Sequence, residues 1–119
     1  MTLNPLPKRR TYWILDGKNP VPEPDALKWA QWFEIHERHV DKTIVQGYEV
    51  STVFLGMDHG HSAEGPPVLF ETMIFAEGSR HDLAMWRYCT WDQAARGHAE
   101  VVKQIESGEI DLTERESET

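Results

Sequence analysis

The residues best suited to chemistry lie in "VSTVFLGMDHGHSAEGPPVLFETMIF", residues 50–75. Asp58, His59, His61 and Glu64 fall within a few positions, and Glu71 interrupts the apolar run that follows. An H-x-H pair on extended backbone points both imidazoles to one side. Two imidazole nitrogens at ~2.0–2.1 Å could hold zinc, with Asp58, Glu64, Glu71 or His98 completing the set. The plainer reading is a polar turn, because Asp, His, Gly and Ser are ordinary loop residues. No zinc-type spacing accompanies the pair, so a metal site is not the favoured reading.

Glu71 stands out by its position. Strand alternation puts it with Leu69, Met73 and Phe75, opposite Phe70, Thr72 and Ile74. On a covered face its carboxylate needs a partner, since isolated burial is costly. Arg10, Arg87, a histidine or a ligand could serve; on a face open to water, none is needed. His98 lies on the apolar stripe of the last helical segment, where a packed, hydrogen-bonded histidine is the commoner outcome. Asp58 or Glu71 is its expected partner, giving an internal polar network. Together with Arg87, the residues Asp58, His59, Glu71 and His98 form the candidate ligand-binding set.

Other reactive types carry less. Cys89 ends a strand beside aromatic residues; only the helix start after it favours thiolate. Ser51, Ser62 and Ser79 lack a nucleophile-elbow context. No phosphate-cradling glycine loop is present, and no cofactor is called for. Arg80, Arg87 and Arg96 could hold phosphate oxygens. Trp13, Trp29, Trp32, Trp86 and Trp91 suit core packing, and an exposed one could stack a flat ligand.

The elements that must position these residues follow from local pattern. "RTYWIL" (10–15) reads as a strand, and "DGKNP" (16–20) as a turn leading into an extended link. "DALKWAQWFEIHERH" (25–39) reads as a helix, with Pro24 and Asp25 at its start and Ala26, Trp29, Ala30 and Phe33 along one face. Residues 40–56 read as a hairpin turning at Gln46-Gly47, with Val50, Thr52 and Phe54 on one face of a central strand. Strands follow over 67–75 and 83–89. Thr90 with Gln93 forms a capping box for the last helix. Ala94, Ala95, His98, Val101, Val102 and Ile105 make its apolar stripe, and Gly108 its C-terminal cap. The order predicts an α+β single domain, an antiparallel meander of about four to five strands with two helices packed on one face.

Totals set further bounds. One domain suits 119 residues. The net charge is −8, but residues 106–119 hold six acids and one arginine, leaving −3 on the rest. Residues 1–108 are therefore expected to form the domain, and 109–119 a solvated, mobile acidic tail. Without a basic stripe, direct binding to nucleic-acid backbone is disfavoured. Nor are carboxylates arrayed over the domain as DNA mimicry needs. No apolar run approaches the ~20 residues of a membrane helix, and "MTLNPLPKRR" does not read as a signal peptide. A lone cysteine fits a reducing compartment, so a cytoplasmic location is expected. The aromatic content is compatible with homo-oligomerisation.

Three segments together, "VSTVFLGMDH", "GPPVLFETMIF" and "YCTWDQAARGHAEVV", resemble a family of small proteins frequent in bacteriophages, prophages and bacterial genomes. The resemblance spans residues 48–102. It implies a phage setting and brings no activity with it. Asp58, His59, Glu71 and His98 belong to the shared pattern; His61 falls in a part of the loop that is variable and Gly-rich in similar proteins. The leading expectation is a non-enzymatic accessory protein that binds a small polar or nucleotide-like ligand, or a host protein, as a host-defence countermeasure. The alternatives are a small metal-assisted or His/carboxylate hydrolase, and a virion structural or assembly protein.

Overall fold

The computed structural model describes residues 12–60 and 64–113. Arg10, His61 and Ser62 lie outside the described residues, as does the end of the acidic tail. Strands β1 (Trp13–Asp16) and β2 (Asn19–Pro22) pair antiparallel, and helix α1 (Ala26–Ile35) follows. Strands β3 (His39–Val45), β4 (Tyr48–Phe54), β5 (Phe70–Ala76) and β6 (Asp82–Tyr88) form an antiparallel sheet in chain order. Helix α2 (Trp91–Ser107) packs across all four of these strands. The chain is an α+β single domain.

Local chemistry sets these boundaries. The turn between β3 and β4 uses Gln46 and Gly47 with φ of 50° and 83°. Two consecutive positive φ values are what a tight hairpin requires, and Gly47 takes its share without strain. Asp25 caps α1, accepting N–H bonds from Leu27 and Lys28 at 2.9 and 3.2 Å. Thr90 and Gln93 close the expected capping box at α2, and Gly108 ends that helix in the left-handed region.

Alternation sorts the sheet residues. Val50, Thr52 and Phe54 face α2, in register with Ile74, Thr72 and Phe70, and all six are buried. Val50 and Ile74 pack with Val101, Ile105 and Leu112; Phe54 and Phe70 pack with Leu69 and Ala94. Burying each large apolar side chain stabilises the fold by about 1.5–3 kcal/mol, so this helix–sheet seam dominates stability.

Three boundaries differ from expectation. The first strand pairs with β2 in a separate ribbon and stays out of the meander; Pro20 and Pro22 lack the N–H groups that a wider sheet would use. Helix α1 stops at Ile35 instead of residue 39, because Glu37 Oε1 accepts the N–H groups of Arg38 and His39, each at 2.9 Å, in place of helical carbonyls. The packed chain also continues past Gly108: Ile110 is half-buried and Leu112 is only 2% exposed in the core. The acidic segment thus begins with an apolar anchor.

Helix α1 has no fully buried residue and is held at one side. Trp29 Nε1 donates to the Gly56 carbonyl at 3.0 Å, and Trp32 meets Phe54 edge-on at 5.9 Å. Gly56 has a φ of 75°, and a Cβ there would lie 2.6 Å from the Phe33 ring. Only glycine lets the chain turn so close beneath that helix.

Candidate functional site

His98 is 2% exposed and reaches from α2 into the sheet. Its Nδ1 lies 2.7 Å from Thr52 Oγ1, and its Nε2 lies 2.8 Å from Thr43 Oγ1. Thr52 Oγ1 is in turn 2.6 Å from Thr72 Oγ1, which bonds the Tyr88 phenol. One polar ladder therefore crosses β3, β4, β5 and β6 beneath the helix. A neutral imidazole suits it, with one ring nitrogen donating and the other accepting. Burial pushes the His98 pKa below the usual histidine range, and Asp41 Oδ2, 3.7 Å from Nε2, opposes that shift. Burial likewise raises the Tyr88 pKa, and its bond with Thr72 works against the rise. Gly97 makes the crossing feasible, because a Cβ there would overlap the Tyr88 ring.

The expected partnership of His98 with Asp58 or Glu71 is thereby corrected. Glu71 alternates with Phe70 and Thr72, so it points to the face away from α2. There it is 5% exposed and accepts from Arg87 Nε at 2.9 Å across the β5–β6 register. The structure thus joins Glu71 to Arg87, one of its candidate partners, and separates both from His98 by the thickness of the sheet.

Asp58 and His59 lie beyond the end of β4. Asp58 Oδ1 accepts N–H bonds from Gly60 at 2.8 Å and Val68 at 2.9 Å, pinning the two arms of the loop together. His59 repeats the clasp through its backbone N–H to the Val68 carbonyl at 2.9 Å, and its Nδ1 bonds the Met57 carbonyl at the same distance. A structured polar turn accounts for these contacts. Among the described residues, no three His, Cys, Asp or Glu side chains gather as metal ligands.

A different cluster lies in a cleft of about 470 Å³ between the end of α1 and β4. Glu34, Ile35, His36, Glu37, Arg38, His39 and Val53 line it. The Arg38 guanidinium carbon sits 3.8 Å from the Phe33 ring centroid, and Phe33 stacks on Trp29 at 4.8 Å. Arg38 Nε is fully buried and has no hydrogen-bond partner among the described residues. The Glu37 carboxylate is instead bonded to the N–H groups of His39 and Arg38 and to His39 Nδ1 at 2.8 Å; these bonds hold its pKa down to about 2. The sequence reading missed this cluster by taking 36–39 as the last helical turn. Four successive titratable residues, "HERH", were the available signal.

The chain matches no protein-family model, and neither a curated protein nor a solved structure is similar to it.

Proposed function

We propose that this protein acts by binding, as a small non-enzymatic accessory protein of phage or prophage origin. It captures a small polar or nucleotide-like ligand, or a host protein, in the host cytoplasm. The observation that carries this reading is His98. A histidine acting in acid/base chemistry has to reach a reacting atom in a cavity. His98 is instead 2% exposed with both ring nitrogens bonded to threonine hydroxyls, and His59, the acid/base candidate of the hydrolase alternative, has its Nδ1 bonded to the Met57 carbonyl. Glu71 is likewise committed to Arg87, and Asp58 to its own loop.

The phage setting rests on the resemblance of the three motif segments, and sequestration of a host factor is an analogy of that setting. The outer sheet face supports contact with a protein, self-association included: Ile44 and Met85 are 50% and 43% exposed. The α1 cleft offers a place for a small ligand.

Native mass spectrometry of the protein purified from its host, before and after denaturation, tests the reading. A non-metal mass carried by the folded chain and released on denaturation is expected, or a co-purified host chain. Conversion of the released molecule by fresh protein would count against binding without turnover. So would a bare chain.

A further inference from the structure

We infer that the cleft between α1 and β4 is a carboxylate site, in which Arg38 receives a carboxylate carried on an apolar group. The inference rests on the binding reading above and names its ligand class.

The first ground is the orphaned donor. Among the described residues Arg38 Nε is buried without a partner, whereas buried polar groups are nearly always hydrogen-bonded. Two carboxylates, Glu34 and Glu37, line the same cleft, yet Arg38 makes no ion pair with either among the described residues. Glu37 is turned to the backbone N–H groups of Arg38 and His39 and to the His39 ring.

The second ground is preorganisation. Phe33 lies under the guanidinium at 3.8 Å and is itself fixed by Trp29 and by its close fit over Gly56. A guanidinium held on an aromatic face loses little freedom on binding. The guanidinium presents parallel N–H groups in a fixed fork, which matches the two oxygens of a carboxylate.

The third ground is charge and flank. Two negative side chains, Glu34 and Glu37, line the cleft, so a singly charged carboxylate is tolerated better than a doubly charged phosphate. Ile35, 77% exposed, and Val53 give the cleft an apolar side for the ligand's substituent.

The test follows the arginine Nε–H resonances by NMR while sodium butyrate is added at constant ionic strength, with chloride as the control. The expected result is a saturable shift of the Arg38 signal, weaker binding of acetate and inorganic phosphate, and no shift with butyramide. Arg38→Lys keeps the charge and lacks the fork; with its backbone spectrum otherwise intact, it should bind butyrate at least about tenfold more weakly. A shift that does not saturate, or one that chloride reproduces, would overturn the site. Equal butyrate affinity in Arg38→Lys would do the same. N-acetylvaline and its amide assign the source: preference for the acid over butyrate points to a peptide C-terminus, and parity points to a free small carboxylate. If Arg38→Lys purified from the host retains the wild-type ligand, the Arg38 site fails and the binding reading survives.

Discussion

His98 Nδ1 lies 2.7 Å from Thr52 Oγ1, at the centre of a hydrogen-bond ladder with a rung on every strand of the main sheet. A histidine on an apolar helical stripe thus has both ring nitrogens bonded to threonine hydroxyls, with the Asp41 carboxylate 3.7 Å from Nε2. The ladder fixes where α2 sits along the sheet, because its donors and acceptors match in one register. This makes His98 part of the frame.

Replacing His98 should reveal that role as stability. His98→Ala leaves the Thr43 and Thr52 hydroxyls without their ring partner and opens a cavity, which together should cost about 2–4 kcal/mol. His98→Gln keeps one amide to bond Thr52 and should cost less, about 1–2 kcal/mol. Urea unfolding followed by tryptophan fluorescence measures both.

The same residue should give the protein a defined acid sensitivity. In the unfolded chain His98 titrates near the ordinary value of about 6.5. In the fold, burial lowers its pKa, with Asp41 opposing. Between the two values the unfolded state binds more protons, so stability falls as pH drops below about 6.5 and the loss levels off below the folded pKa. The slope is at most about 1.4 kcal/mol per pH unit. The groups facing the ring are the Thr43 and Thr52 hydroxyls and the Asp41 carboxylate. Unfolding midpoints at about pH 7.5 and about pH 5.5 should differ more in wild type than in His98→Gln.

Gly97→Ala should destabilise although alanine is the better helix former by about 1 kcal/mol. The added methyl overlaps the Tyr88 ring, and the helix has to move or the ring has to leave Thr72. A net loss of about 1–3 kcal/mol is expected from overpacking. Gly97→Ala combined with Tyr88→Phe should recover little, since the clash is with the ring as well as the hydroxyl. A thermal melt of the three proteins checks this.

The Glu71–Arg87 pair should be asymmetric. Arg87→Ala leaves a 5%-exposed carboxylate without its guanidinium and should cost about 2–4 kcal/mol. Glu71→Gln leaves Arg87, about one-third exposed, free to turn to water, and should cost about 1 kcal/mol. A double-mutant cycle in urea measures the coupling.

Much of this was legible in the sequence. The capping box at Thr90, the turn at Gln46-Gly47 and the stripe through Ala94, His98, Val101 and Ile105 all depend on local spacing, and each stands where expected. Alternation also placed Glu71 opposite Phe70 and Thr72 correctly. Sequence could not pair His98, because its threonines lie 46 and 55 residues away and only the folded register brings them together. The last turn assigned to α1 failed because Glu37 captures backbone N–H groups, a competition that periodicity does not reveal. Leu112 was hidden by its acidic surroundings, and only its contact with Val50, Ile74, Val101 and Ile105 gives it a core role.

Native mass spectrometry of wild type and His98→Gln, purified side by side from the host, tests most directly the proposal that the protein binds without turnover and that His98 belongs to its frame. The expected result is the same non-metal mass on both folded chains, released chemically unaltered on denaturation. A folded His98→Gln that has lost that mass, or a wild type that converts the released molecule, would contradict it.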